Sequence, residues 1–378
     1  MTQAPDHRRS PNPDVVPGSS SAATSATALG ALIVCAALAA CSSSNGDGVM
    51  GGSGGASGGS GGAAAGSGDA GAGSGGQSGG SGGASGPDIG SLAEYKSCGR
   101  DKLAGEVALV MDVEAGFTGV LTGFVLDGVE PFRGSTVVST SGMCQLKQPP
   151  KAPAPCQPAC AAEQNCTESG CVAKPKALDV GKMIIDGLKV PSLELSRNGS
   201  NIYTNPPAIK IPHPGFDEGT NLRLTVEGKD NYGPLMLHGF GVGALEVPEA
   251  PITVEMGQPV TLTWGAPGKT GPTRVLINFS VNRHGAVDTW LECSVPDTGS
   301  FAIDGALVTE LFQYGTSGFP SVSIQRQSAD STTVPSGCME FSVSTSANRE
   351  LMVPGVVSCQ DDMDCPQGQT CQIDLKCG

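Results

Sequence analysis

The chain has 378 residues, 56 of them Gly, 28 Pro and 14 Cys, with only 2 Trp, 4 Tyr and 10 Phe. Lys and Arg number 22 against 36 Asp and Glu, a net charge of −14. No basic cluster of the kind that neutralises phosphates interrupts that acidity, which argues against a nucleic-acid partner. No apolar run reaches the roughly 18 residues that a membrane span needs. Of the 56 glycines, 20 fall in residues 51–90, which leaves roughly 290 residues for folding, enough for about two domains.

The first feature along the chain is an address. Residues 28–40 form an apolar run of 13 downstream of Arg8 and Arg9. It is too short to cross a bilayer and has the length of an export-signal core. The run ends in Leu38-Ala39-Ala40-Cys41, followed by Ser42. These residues resemble the signal peptide of bacterial lipoproteins, in which a Leu-small-small-Cys motif is cut before the cysteine and the thiol is acylated. The resemblance implies a signal peptide over 1–40 and a lipid on Cys41. Ser rather than Asp after the cysteine implies sorting to the outer membrane. Cys35 follows Val34, too bulky for the cleavage position, so Cys41 is the lipidation candidate. Ordinary cleavage after Ala40, which would release a soluble exported protein, is the alternative. Two or more acyl chains make anchoring stable, each buried CH₂ contributing about 0.8 kcal/mol.

Residues 41–90 are almost wholly Gly, Ser and Ala. They have nothing to bury against the entropy of ordering, so they read as a disordered linker with an r.m.s. span of about 40 Å. Two Gly-x-Ser-x-Gly matches, at 51–55 and 55–59, lack the strand and helix that would make them a nucleophile elbow.

From Ser91 onward the pattern is β. Short runs rich in Val, Ile, Leu and Thr alternate with polar residues between Gly, Pro, Asn and Asp turns. Strands are expected at 106–113, 117–126, 135–140, 180–189, 221–227, 234–240, 252–256, 259–265, 273–281, 288–295, 300–303, 320–326 and 338–344. One short helix is expected at 305–313, capped by Asp304 and ended by Gly315. The fold class is all-β. Two β-sandwich domains are expected, 91–248 with a cysteine-rich insert at 144–174 and 249–355, with a small module at 356–378. Val260, Leu262 and Trp264 share one strand face, as do Val275, Ile277, Phe279 and Val281. The segment from Val260 to Val281 resembles two strands of an immunoglobulin or fibronectin-type-III sandwich.

Removing Cys35 with the signal and lipidating Cys41 leaves twelve cysteines, an even number. An exported chain meets an oxidising compartment, so six disulfides are expected. Cys156, Cys160, Cys166 and Cys171 form one tight group, and Cys359, Cys365, Cys371 and Cys377 recur at a spacing of six. The stretch from Cys359 through Asp364-Cys365-Pro366 to Cys371 resembles Dickkopf-like and EGF-like extracellular modules, and Gln164 to Val172 resembles a shortened version. Sequence alone leaves three connectivities for four cysteines. First-to-third and second-to-fourth pairing is the choice for each group, with Cys98–Cys144 and Cys293–Cys338 for the rest. Zinc on the clusters is the rival reading, disfavoured by export.

Chemistry is sparse. His213, His238 and His284 stand apart without metal-ligand spacing. The Gly-rich run 239–244 leads into Leu-Glu-Val-Pro and not into a helix, so it makes no dinucleotide site. Asp361, Asp362 and Asp364 have oxygen ligands at a spacing that suits calcium, but no further ligands follow. No metal or cofactor is expected. Trp290 should face outward, because Leu291, Cys293 and Val295 claim the inner face, and it is the candidate contact residue for protein or sugar.

The leading expectation is a surface-exposed, outer-membrane lipoprotein without enzymatic activity. Its partners would be the membrane, through its lipid, and a protein or polysaccharide of the envelope or cell surface. A secreted hydrolase of polysaccharide or cell wall is the alternative, marked by a cleft holding two facing carboxylates with raised pKa. An inhibitor or scaffold role for the cysteine modules is the third reading.

Overall fold

The protein is described here in a computed structural model. It describes residues 89–131, 133–151, 153–285 and 287–378. The expected signal peptide, the expected lipidation residue Cys41 and nearly all of the Gly/Ser-rich segment lie outside the described residues.

Strand accounts for 43% of the described residues and helix for 4%, so the all-β class holds. The strands in chain order are β1 Leu103–Asp112, β2 Phe117–Val125, β3 Thr136–Ser141, β4 Cys144–Gln148, β5 Gln164–Thr167, β6 Gly170–Ala173, β7 Met183–Asp186, β8 Leu193–Glu194, β9 Ser196–Arg197 and β10 Tyr203–Thr204. They continue with β11 Asn221–Val226, β12 Leu235–Phe240, β13 Ile252–Thr253, β14 Val260–Thr263, β15 Arg274–Ser280, β16 Trp290–Pro296, β17 Ser300–Ile303, β18 Ser321–Val334 and β19 Gly337–Met352. The helix α1 is Gly305–Phe312, with the Asp304 carboxylate accepting from the Ala306 N–H as its N-cap. Gly315 adopts φ 89° just beyond it, as a helix stop requires.

The main sheet runs β2-β1-β19-β18-β15-β16-β4-β3, with β13 added beside β19. Its backbone is the β18–β19 hairpin, whose strands pair from Ser321↔Glu350 to Val334↔Gly337. Apolar side chains on one sheet face build two cores. One gathers Val107, Leu109, Phe341 and Val343 with β7 and β11 residues such as Ile185 and Leu224. The other gathers Ile277, Phe279, Leu291 and Ile324 with Leu262, Trp264 and Leu311.

This arrangement corrects the expected division into 91–248 and 249–355. There are two cores, but β1–β4 from the first segment hydrogen-bond in one sheet with β15, β16, β18 and β19 from the second. The reason is strand length. At 14 and 16 residues, β18 and β19 are long enough to serve both cores. The insert also begins later than expected, because Cys144–Gln148 is a strand of the main sheet.

All twelve described cysteines are paired. Cys156–Cys166, Cys160–Cys171, Cys359–Cys371 and Cys365–Cys377 follow the first-to-third, second-to-fourth order. The other two pairs overturn the expectation: Cys98 joins Cys338, and Cys144 joins Cys293. Cys144 and Cys293 are direct cross-strand neighbours of β4 and β16. Cys338 shares its strand face with Glu340, away from the apolar core where Cys293 is buried. It therefore cannot reach Cys293 and meets Cys98 on the other face.

The C-terminal module rests on the body through Gly318, whose N–H donates to the Asp374 carbonyl at 2.8 Å. A Cβ at Gly318 would collide with the Leu375 backbone, so the contact needs glycine.

Candidate functional site

The face of the main sheet opposite the two cores is polar and largely buried. The β register lines up Phe124, Glu106, Glu340 and Ser331 across β2, β1, β19 and β18. Further along the same face come Ser342, Ser344, Gln327 and Gln325, all nearly inaccessible to solvent. Part of this burial is supplied by the segment 89–102, which acts as a strap. The Lys96 N–H donates to the Ala329 carbonyl at 2.9 Å. The Tyr95 hydroxyl donates to Gln327 Oε1 at 3.4 Å. The Cys98 N–H donates to Glu340 Oε2 at 2.6 Å, and the Cys98–Cys338 disulfide closes the attachment.

Beneath the strap, Glu106 and Glu340 are cross-strand partners in a parallel pair, 6% and 7% exposed. Burial pushes the Glu340 carboxyl up to about 8, helped by the neighbouring Glu106 and opposed by the Cys98 N–H. Burial also raises Glu106, opposed by the charges of Arg133 and Arg100. Two carboxyls so placed cannot both ionise cheaply, so the pair keeps a proton near neutral pH. The Arg133 guanidinium lies 4.7 Å from the Phe124 ring centroid, at the end of the same row.

Beside the strap a groove of about 1010 Å³ opens. One wall is the strap, with Lys96, Arg100 and Lys102. The opposite wall is Gly134, Ser135, Val137 and Gln145, and the floor is Ser331, Thr332, Thr333 and Cys338. Gln145 of β4 lies three strands from β18 in the sheet order. Their meeting in one groove means that the sheet curls around its polar face, as twisted sheets do. Glu106 and Glu340 are not among the groove's lining residues; the disulfide and the strap lie over them.

The residues singled out from sequence are dispersed. Leu291, Cys293 and Val295 are buried in the core as expected. Trp290 takes the other face, opposite Lys147, but it is half-buried and away from the groove. Its indole N–H is buried without a hydrogen-bond partner among the described residues. Lys147 itself is buried and paired with Glu292 at 2.7 Å. His213 contacts Thr118, His238 lies near Asp330, and His284 meets the edge of the Phe319 ring, in three separate places. Trp264 is core, and its Nε1–H donates to Asp297 at 2.9 Å.

In the acidic triplet of the C-terminal module, Asp361 and Asp364 cap their own turn and Asp362 clasps a more distant amide. Asp361 accepts from the Met363 N–H, Asp364 from the Gln360 N–H and Asp362 from the Cys371 N–H, each at 2.8 Å. Asp362→Ala is expected to cost the module about 1 kcal/mol, as loss of one hydrogen bond does, read as faster hydrogen exchange at the Cys371 amide. The close-set sulfurs of Cys156, Cys160 and Cys171, and of Cys359, Cys365 and Cys377, are engaged in disulfides.

Sequence reasoning missed Glu106 and Glu340. A signal existed: Glu106 is flanked by the apolar run Val107–Met111 and Glu340 by Met339, Phe341 and Val343, each an acid set inside a strand otherwise apolar or hydroxyl-bearing around it. Neither a scan of protein-family models nor a search of curated proteins finds a match for this chain.

Proposed function

We propose that this chain is an exported, lipid-anchored envelope protein that binds a ligand rather than transforming it, in the groove beside the strap. The observation that carries the reading is the sealed carboxyl pair: the groove is lined by hydroxyl, amide and cationic groups with the exposed carboxylates of Glu94 and Asp101, while Glu106 and Glu340 lie buried under the strap. Pairing of all twelve described cysteines supports an oxidising compartment. The Leu38-Ala39-Ala40-Cys41 motif supports lipid attachment, with the body facing outward from the outer membrane.

Two measurements test this. The full chain should sediment with membranes and Cys41→Ser should leave them; a Cys41→Ser variant that stays in the membrane fraction sinks the anchor. Protease shaving of intact cells should release peptides beyond Ser91, and release only after the outer membrane is broken would place the body in the periplasm. The hydrolase alternative draws on the raised pKa values of Glu106 and Glu340. It requires the strap to lift, and turnover of a polymer that Glu340→Gln abolishes would favour it.

A further inference from the structure

We infer that the groove is a site for an acidic polysaccharide, a uronate-bearing polymer being the chemical class that fits. This rests on the binding function proposed above.

The lining sets the ligand's polarity. Ser97, Ser135, Thr332, Thr333 and Gln145 offer hydroxyl and amide groups along a groove of about 1010 Å³. That volume matches the upper end of small-molecule sites, but those sites are mostly apolar. A lining of this kind suits a ligand that itself carries many hydroxyls, with both donors and acceptors to satisfy.

Charge sets the ligand's sign. In a chain of net charge −14, the groove's charged lining carries three cations against two carboxylates. Lys96, Arg100 and Lys102 come from the strap. Lys96 and Lys102 are exposed and have no carboxylate partner at ion-pair distance among the described residues. The strap's own carboxylates in the groove are Glu94 and Asp101. The opposite wall, Gly134, Ser135, Val137 and Gln145, adds no carboxylate. Arg133 and Arg100 both act on the buried Glu106. Lysine and arginine at the mouth of a hydroxyl-lined groove would steer a polyanion to it, an attraction that salt weakens.

The experiment uses the full lipidated chain in detergent micelles, titrated by calorimetry with alginate oligosaccharides and with dextran oligosaccharides of equal length. Alginate should bind and dextran should not. Raising the salt from roughly 50 to 500 mM should weaken alginate binding. Lys96→Glu with Lys102→Glu should weaken it by about tenfold or more, whereas Lys174→Glu with Lys210→Glu, outside the groove, should leave it unchanged. Equal weakening by both double variants would reveal nonspecific attraction to polyanions and overturn the inference. Dextran binding as tightly as alginate would overturn the acidic class and leave the binding function standing. Co-sedimentation with isolated bacterial sacculi but no binding of alginate would likewise overturn the ligand and keep the function. Binding to none of the three would overturn both.

Discussion

Replacing Asp297 by alanine is expected to destabilise the protein by about 3–5 kcal/mol, the usual cost of stranding one partner of a buried ion pair. Asp297 and Arg326 are 3% and 2% exposed. Asp297 accepts from Arg326 Nε at 2.6 Å and Nη2 at 3.1 Å, from Trp264 Nε1 at 2.9 Å and from Thr273 Oγ1 at 3.4 Å. Arg326 also donates to the carbonyls of Ala244 and Gly265. One network therefore ties the chain after β12, the end of β14, the β16–β17 turn and β18. Without the carboxylate, the guanidinium stays buried with only carbonyl dipoles to face. Urea denaturation at neutral pH measures the effect, and a loss below about 1 kcal/mol would show that the pair does not bear on stability. The double change Asp297→Leu with Arg326→Met should be far milder than the single one, because apolar replacement removes both desolvation penalties together.

The second large effect depends on pH. The Glu340 carboxyl titrates at about 8 in the fold against an ordinary 4.5. The folded protein thus holds more protons than the unfolded chain between these values. Stability from this group is complete below pH ~4.5, falls as pH rises toward 8 and levels off above it. The shift corresponds to at most about 5 kcal/mol. Glu340→Gln keeps an oxygen to accept from the Cys98 N–H and cannot ionise, so it should remove most of this loss. Urea midpoints at pH 5 and pH 8.5 test it: the wild-type midpoint should drop between them and that of Glu340→Gln should drop less. Parallel drops in the two proteins would refute the assignment.

These two clusters mark where sequence reasoning ran out. Strands with one apolar face were legible, because alternation such as Val260-Thr261-Leu262-Thr263 states which side is buried. The far halves of β18 and β19 were not. Residues 327–334, Gln-Ser-Ala-Asp-Ser-Thr-Thr-Val, carry no apolar alternation, yet five of the eight are buried, in places on a polar face. Only pairing with β19 and cover from the strap explain that burial, and neither is local. The crossed disulfides failed for the same reason. Cys144 meets Cys293 because β4 pairs β16 across 149 residues, a tertiary choice that spacing does not encode. Within the small cysteine modules spacing sufficed, since loops of 10 to 12 residues leave few ways to close. The groove was invisible for a further reason: its walls come from the strap, β3–β4 and the β18–β19 hairpin, which only the curl of the sheet brings together.

The order of the bonds has a consequence for resistance to proteolysis. Cys98–Cys338 closes a covalent ring around 240 residues of chain, and Cys144–Cys293 closes a second ring inside it. A protease that nicks any surface loop between 99 and 337 opens the ring without releasing a fragment. The cut ends stay tethered, as in a chain link sawn through once. Damage then accumulates as nicks visible only after reduction, and releasing a piece of the ring takes two cuts.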